Sequence, residues 1–112
     1  MHTPATPPPP RAEKSPGLVR VALATEHLGQ AHLQSTGQWL FAQADALAGD
    51  RLELDLSAVR YLASESLGKL VALHRRVREG EGWLVVTGVT PLVREVFEVT
   101  HLHRVLDIRW GA

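Results

Sequence analysis

The sequence predicts an α/β fold, in which helices pack against a mostly parallel mixed β-sheet of about four strands. Short apolar segments typical of strands alternate along the chain with longer segments whose apolar residues recur every three or four positions, as in amphipathic helices. In addition, the predicted strands at 52–59 and 83–89 are separated by a helical segment. This spacing implies a right-handed parallel crossover.

The chain of 112 residues is long enough for one small domain. Six of its seven prolines lie within residues 1–16, and four of them are consecutive at Pro7–Pro10. Such a run favours an extended polyproline II conformation and has no apolar side chains to offset the entropy of ordering. We therefore expect residues 1–16 to be a disordered tail and residues 17–112 to form the domain.

The first half of the domain predicts a strand, a helix and a second strand. Residues 18–25, LVRVALAT, have the apolar and β-branched composition of a strand. Residues 31–48 carry apolar side chains at helical spacing, and Gly49 ends this helix. Residues 51–59, RLELDLSAV, alternate between apolar and polar positions, as expected of a strand with one buried face.

The second half predicts a helix from about Ser64 to Glu79, a strand, a further helix and a last strand. Residues 83–89, WLVVTGV, are continuously apolar, which is typical of a central strand covered on both faces. Thr90-Pro91 opens the third helix, and residues 105–110 form an edge strand. The helix from Ser64 to Glu79 is expected to face inward with Leu67, Leu70, Val71, His74 and Val77. The helix opened by Thr90-Pro91 is expected to face inward with Leu92, Val93, Val96 and Phe97.

The composition favours a protein partner over nucleic acid or a membrane. Lysines and arginines number 12, as do aspartates and glutamates, so the chain lacks the basic excess of a polyanion-binding domain. No cysteine is present, which excludes a disulfide framework and a thiolate nucleophile. No apolar run approaches the ~18–20 residues that cross a bilayer. We expect a cytoplasmic domain.

The most distinctive candidate site is the segment Tyr61–Lys69, where a strand gives way to a helix. Sites in open α/β sheets collect beyond the carboxyl ends of the strands. Backbone N–H groups and the positive end of a helix dipole would surround Ser64 there, and both suit a phosphoryl group. The plainer alternative is that Ser64 only caps the helix and that Glu65 is a solvated first-turn carboxylate.

Residues 52–108 resemble the STAS domains of bacterial anti-sigma factor antagonists. Several features match in order: a leucine-rich strand ending in Asp-Leu-Ser at 55–57, a serine turn followed by Leu-Gly at 67–68, Leu-Val-Val at 84–86, and a helix carrying Val-Phe at 96–97. The closing segment LHRVLDI is also similar to the family's last helix and strand.

The resemblance implies a non-catalytic switch protein with a small STAS-like sandwich fold. In that family the unphosphorylated antagonist binds an anti-sigma factor, often also a serine kinase, and thereby releases the sigma factor for transcription. Phosphorylation of a serine breaks this binding, and a metal-dependent phosphatase restores it. Carried onto this chain, the acceptor falls on Ser64, with Ser66 less favoured. The partner-binding residues implied are Asp55, Ala63, Ser64, Glu65, Ser66, Gly68 and Lys69.

Three positions depart from the family's pattern, and one of them is Ser66, which stands at the position of the family's glycine. Ala63 stands where an acidic residue usually precedes the acceptor, and Glu65 stands where a second serine is usual. A carboxylate beside Ser64 resembles a permanently phosphorylated state. The alternative function is therefore a scaffold or ligand-sensing domain of the same fold that is never phosphorylated, with a docking face near Trp39 and Trp110.

We predict neither an enzyme nor a metal or cofactor site. The nucleophile-elbow pattern Gly-x-Ser-x-Gly is absent around Ser64, whose flanking positions are Leu62 and Ser66. Two closely spaced histidine pairs have no third ligand indicated nearby. These pairs are His27 with His32 and His101 with His103.

Overall fold

The described chain contains both strands and helices, with three strands before the first helix and two strands between the first helix and the second. The computed structural model describes residues 11–24, 27–28, 30–47 and 49–109. The strands are β1 (Arg11–Ser15), β2 (Leu18–Ala22), β3 (His27–Leu28), β4 (Arg51–Asp55), β5 (Tyr61–Leu62), β6 (Trp83–Thr87) and β7 (Asp107–Ile108). The helices are α1 (Gln30–Asp45), α2 (Ser64–Glu79), α3 (Pro91–Val99) and a short 3₁₀ turn at Leu102–Arg104.

A five-stranded sheet in the order β1-β2-β4-β6-β7 forms the centre of the fold. The last four strands in this order are parallel to one another, whereas β1 is antiparallel to β2. The short strands β3 and β5 form a separate parallel pair. The prediction of a mostly parallel mixed sheet with packed helices is therefore confirmed, and the described sheet has one strand more than expected.

The additional strand, β1, lies within the segment expected to be a disordered tail. It pairs with β2 through a hairpin in which Ser15 is opposite Leu18. Gly17 has a φ of 76°, as the third residue of a type II turn requires, and Pro16 suits the position before it. The expectation of disorder is thus wrong for residues 11–15, because an edge strand gains backbone hydrogen bonds without apolar side chains. Residues 1–10 lie outside the described residues.

The apolar core lies between one face of the sheet and the helices. Leu52 and Leu54 point into it from β4, as their alternation with polar residues predicts, and each fully buried leucine contributes about 1.5–3 kcal/mol. The other face of the sheet carries charged side chains, among them Arg20 and Glu53, which form an ion pair of 2.9 Å. The helical residues in the core are Leu40, Ala44, Leu70, Leu73, Val77, Val93 and Phe97.

Helix α2 has the bounds that the sequence predicts, but its buried stripe is rotated from the predicted one. Leu70 and Val77 are buried as expected. Ser66 and Leu73 are buried as well, whereas Leu67 and His74 are only half-buried. The rotation arises because α2 packs against both α1 and β6, so that two neighbours determine which side is covered.

The remaining elements differ from the predictions mainly at their ends. Helix α1 ends at Asp45, before the expected residue 48. Strand β4 ends at Asp55 because its partners β2 and β6 end at the same register. The prediction of β6 as a central strand is confirmed, since it pairs on both sides and buries three consecutive residues. Strand β7 lies at the sheet edge, as expected.

Helix α3 begins at Pro91, with Thr90 in the N-cap position as predicted. Its stripe is narrower than expected: Val93 and Phe97 are buried, whereas Leu92 is 49% exposed. None of the helices in the described residues combines the length and apolar character that crossing a bilayer requires.

Candidate functional site

The candidate site lies at the carboxyl edge of the sheet, which we define by the ends of β2, β4 and β6. Ala22, Asp55 and Thr87 are paired across this edge. The chain leaves it through the loop 56–60, which leads to β5 and α2, and through residues 88–90, which lead to α3. Crevices beyond the carboxyl ends of parallel strands are the usual ligand sites of such sheets.

Asp55 fixes the geometry of two of these loops. Its Oδ1 accepts a hydrogen bond from the backbone N–H of Ser57 at 2.9 Å. The same oxygen lies against Gly88, which has a φ of 66° and leaves no space for a Cβ. Asp55 therefore binds the start of the β4–β5 loop and packs against the end of β6.

Gly88 is a residue that sequence reasoning missed. A Cβ at this position would also lie 3.1 Å from both the Cβ and the N of Ser57, so only glycine fits. The available signal was a lone glycine directly after a buried strand, in the sequence Thr-Gly-Val at 87–89. Such a glycine indicates either a positive φ or a close approach of another segment.

The loop before β5 is also bound to α3. Although Thr90 is the N-cap of α3, its hydroxyl makes no cap hydrogen bond and instead donates to the carbonyl oxygen of Val59 at 3.1 Å. Leu56 donates its backbone N–H to the carbonyl oxygen of Thr87 at 2.9 Å. These contacts hold the segment leading to α2 against the end of β6 and the start of α3.

The N-terminus of α2 places Ser64 in solvent. Ala63 is the N-cap, with extended φ and ψ of −78° and 158°, and Ser64 is the first helical residue. The alternative interpretation of Ser64 as the N-cap is therefore wrong, because the helix begins one residue earlier than capping by Ser64 would require. Ser64 and Glu65 are both exposed, as is Gly68, which is one turn further along the same face.

Ser66 lies on the opposite side of the helix from Ser64. It is 1% exposed and donates its backbone N–H to the carbonyl oxygen of Ala63 at 3.0 Å. It helps to line a groove between α1 and α2, together with the apolar residues Leu40, Phe41 and Leu73. Of the two candidate serines, Ser64 is therefore exposed to solvent, and Ser66 is buried between α1 and α2.

Lys69 also belongs to the contact between the two helices. Its Nζ lies 5.7 Å from the centroid of the Phe41 ring, and Arg76 approaches the same ring at 5.3 Å. Arg76 additionally forms a two-pronged ion pair with Asp45, at 2.9 and 3.0 Å. This hydrogen bonding lowers the pKa of Asp45. The basic residues of α2 therefore join the helices at this contact.

Beside the serine turn lies an open depression that sequence reasoning did not predict. Its volume, including solvent at the mouth, is about 990 Å³. Tyr61 and Leu92, each 49% exposed, lie on its two sides. We call it the β5–α3 groove; it is lined by Ser57, Ala58, Arg60, Tyr61, Thr90, Pro91 and Leu92.

The described residues contain no cluster of three or more histidine, aspartate or glutamate side chains that could hold a metal ion. His101 and His103 lie near each other, with ring centroids 6.0 Å apart. Half-burial of His74, together with Arg78 and Arg75, lowers the pKa of its imidazole. The side chains of His27 and His32 and residue Trp110 lie outside the described part of the structure.

Comparison with known protein families assigns the domain. A family model described as "Mlab, STAS domain" matches residues 11–107. The chain belongs to the STAS domain family. The match begins at the first residue of β1 and ends at Asp107, the first residue of β7, so it includes residues from all five strands of the sheet. The resemblance to STAS domains is thereby confirmed. No curated protein sequence matches this STAS domain.

Solved structures share the fold of this STAS domain. An anti-sigma-factor antagonist (STAS) domain protein from Planctomyces limnophilus has a TM-score of 0.78 at 19% identity, covering 89% of this chain and 87% of that chain. An anti-sigma factor antagonist from Mycobacterium paratuberculosis has a TM-score of 0.79 at 21% identity, covering 92% and 86%. The anti-sigma factor antagonist SpoIIAA, in its unphosphorylated form, has a TM-score of 0.68 at 11% identity, covering 93% and 90%.

Proposed function

We propose that this STAS domain is an anti-sigma factor antagonist that is switched by phosphorylation of Ser64. Its partner is an anti-sigma factor with serine kinase activity, which binds the unmodified domain in the cytoplasm and thereby releases a sigma factor for transcription. A metal-dependent phosphatase returns the domain to its binding state. In this role the domain acts by binding and not by catalysis.

The observation that carries the proposal is the exposure of Ser64 on the first turn of α2, at the carboxyl edge of the sheet. A kinase can reach its hydroxyl without unfolding the domain. Ser66, which is 1% exposed, would have to leave the packing between α1 and α2 before it could react. Burial thus favours Ser64 over Ser66 as the acceptor.

The electrostatics of this turn agree with a reversible switch. The N-terminal end of a helix dipole is positive and favours a negative group in the first turn. A phosphoryl group on Ser64 therefore gains interactions within its own helix, and the fold is retained. A complementary partner surface would meet up to two new negative charges and would be repelled.

The structures that share this fold include several anti-sigma factor antagonists, and one of these was solved specifically in its unphosphorylated form. These likenesses support the proposed role without extending to the identity of the partner. We propose that Gly68 and Glu65, which share the exposed side of the turn with Ser64, contact the partner.

A second candidate function is favoured by Ala63 and Glu65. Ala63 provides no carboxylate before the acceptor, and Glu65 places a negative charge beside Ser64 in the first turn of α2. A domain with this turn could bind its partner without any modification. It would then act as a constitutive scaffold.

The experiment compares Ser64→Ala with Ser64→Asp. Each purified anti-sigma kinase of the source organism is titrated with the unmodified chain and both variants by calorimetry, in the presence of a nucleotide that cannot donate a phosphoryl group. We expect Ser64→Ala to bind as the unmodified chain does. Ser64→Asp should bind at least about tenfold more weakly, equivalent to about 1.4 kcal/mol, because its carboxylate meets a surface that fits a neutral hydroxyl.

The matched control is Ser15→Asp, which adds the same charge at an exposed serine. Ser15 is the last residue of β1 and lies opposite Leu18, at the end of the sheet away from Ser64. Its affinity should equal that of the unmodified chain. Equal affinities of Ser64→Ala and Ser64→Asp would contradict the switch and support the constitutive scaffold.

A further inference from the structure

Helix α3 carries an apolar stripe that its own domain leaves uncovered. The stripe consists of Leu92, Val96 and Val99, and we call it the α3 stripe. Spacings of four and three residues place these side chains on one side of the helix. Leu92 is 49% exposed, Val96 is half-buried and Val99 is 73% exposed. A second surface that covered this side of α3 would remove all three side chains from water.

The two ends of the α3 stripe carry opposite charges. At one end, Leu92 lines the β5–α3 groove, and Arg60 is the charged side chain among the described residues of that lining. At the other end, Glu95 lies one helical turn before Val99 and is exposed beside it. The stripe therefore begins with an apolar residue near a positive charge and ends with an apolar residue near a negative charge.

From these observations we infer that two copies of this chain associate through the α3 stripe, with their α3 helices antiparallel across a two-fold axis. Leu92 and Val99 are seven residues apart, or about 10 Å along the helix. In an antiparallel pair, Leu92 of each copy meets Val99 of the other, and the two Val96 side chains meet near the axis. The same arrangement brings Arg60 of each copy toward Glu95 of the other.

A second copy fits this surface because the surface is complementary to itself. Rotation by 180° about the two-fold axis exchanges the ends of the stripe, so that apolar meets apolar and the basic end meets the acidic end. Arg94 and Glu98, also on α3, form an ion pair at 2.8 Å within the helix, so this pair adds no net charge. The formal net charge of the chain is zero, so no overall repulsion opposes the association of two copies. Charge complementarity thus favours a second copy as the occupant.

The small size of the contact makes the dimer weak. Helix α3 has nine residues and is about 13 Å long. One side of such a helix, with the rim of the groove, buries less than the roughly 1,600 Å² that is standard for stable complexes. We therefore expect a dissociation constant of about 0.1–1 mM, so that the dimer forms only in concentrated solution.

Sedimentation equilibrium of the full chain, at concentrations up to about 2 mM, measures this association. We expect the average mass to rise with concentration toward that of two chains. Val99→Asp should raise the dissociation constant at least about tenfold, because it places a carboxylate against Leu92 of the second copy. The matched control, Ala72→Asp, adds the same charge at an exposed position of α2 and should leave the dissociation constant unchanged.

Charge reversal tests the antiparallel arrangement. Arg60→Glu and Glu95→Arg, each measured alone, should raise the dissociation constant about fivefold, because like charges then meet twice across the axis. In an equimolar mixture of the two variants, the mixed dimer joins opposite charges at both contacts, and its affinity should return to within about twofold of the unmodified chain. The ¹⁵N amide resonances of Val96 and Val99 should shift with concentration, and that of Trp83, at the start of β6, should not.

Two results would overturn the inference. A chain that remains monomeric up to about 2 mM would show that no second copy covers the α3 stripe. A dimer that is insensitive to Val99→Asp, or a mixture that associates no better than its two components, would mean that the copies meet through another surface. Failure of the Ser64 switch would leave all of these results unchanged, because none depends on an anti-sigma factor.

Discussion

The carboxyl edge of the central sheet differs from its amino edge, which is formed by the first residues of β2, β4 and β6, in the surface that it leaves open. At the amino edge, the backbone N–H groups of Arg51 and Trp83 donate to the carbonyl oxygens of Gly17 and Asp50, at 3.0 and 3.3 Å. At the carboxyl edge, Ser64 and Tyr61 are exposed beside an open groove. The carboxyl edge is also held by backbone hydrogen bonds, from Leu23 to Asp55 at 3.2 Å and from Leu56 to Thr87 at 2.9 Å. The comparison therefore indicates that both edges are stabilised, and that the carboxyl edge in addition leaves an open groove for binding.

A cluster of polar and charged side chains around Trp83 stabilises the amino edge. Trp83 donates its indole N–H to Asp107 at 2.7 Å, and Asp107 accepts a further hydrogen bond from Arg109 at 3.1 Å. The guanidinium of Arg78 lies 4.7 Å from the centroid of the Trp83 ring. These contacts connect β6, β7 and the end of α2, so a tryptophan that is 42% exposed has a structural explanation.

The largest effect is expected where the two loops of the carboxyl edge interlock. Gly88→Ala places a methyl group against Asp55 and Ser57 in a backbone conformation with positive φ. We expect the free energy of unfolding to fall by about 2–4 kcal/mol, from backbone strain and overpacking together. Urea unfolding at neutral pH measures this change.

Gly82→Ala is the counterpart at the amino edge. A Cβ there would lie 2.7 Å from the carbonyl oxygen of Asp50, which should cost about 1–3 kcal/mol. Only Gly88→Ala should also shift the amide resonances of Ser57 and Ala58. If Gly82→Ala shifted the resonances of Ser57 and Ala58 equally, a change at the amino edge would alter the structure of the carboxyl edge, which contradicts the account.

Trp83→Phe tests the cluster around Trp83 through the pH dependence of the free energy of unfolding. The indole hydrogen bond is the main reason that the pKa of Asp107 is lowered, and Arg109 adds to it. A carboxyl group whose pKa is lower in the folded state stabilises the fold at pH values above its pKa in the unfolded chain. This stabilisation is lost as the pH falls below about 4. Trp83→Phe should therefore cost about 1 kcal/mol at pH 7, and less in acid.

The measurement is urea unfolding of both chains at pH 7 and pH 3. The Trp83→Phe chain should show the smaller loss of stability on acidification. An unchanged acid dependence would contradict the assignment of the lowered pKa to the indole.

The smallest effect is expected at Gly68, on the exposed side of α2. A Cβ there meets no atom within 4 Å, so Gly68→Ala should raise the free energy of unfolding by about 0.5–1 kcal/mol. If Gly68 also contacts the partner, the added methyl group lowers affinity for the anti-sigma factor although the domain is more stable. Higher stability with unchanged affinity would remove Gly68 from the interface.

The sequence predicts the bounds of the elements whose apolar residues recur with a clear period. Helix α2 has its predicted bounds because its apolar period is clear and Gly80 follows it. Strand β1 was missed because its residues are polar, and only the Pro16-Gly17 turn signalled a hairpin. Backbone pairing at a sheet edge leaves little trace in hydrophobic patterning.

The candidate site could be located from sequence but not resolved into its parts. The order of strand and helix was enough to position Ser64 beyond the carboxyl ends of the strands. The burial of Ser66 depends on the contact of α2 with α1, and the need for Gly88 depends on Asp55, more than 30 residues away. Such long-range contacts are not encoded in local periodicity. The β5–α3 groove, formed between two distant segments, was missed for the same reason.

The most direct test of the account is site-resolved mass spectrometry of this protein, isolated from its native cells during growth and under stress. The account predicts one phosphoryl group on Ser64, whose occupancy changes with condition, and none on the buried Ser66. Phosphorylation at Ser66, or a Ser64 that is never modified in either condition, would contradict the account.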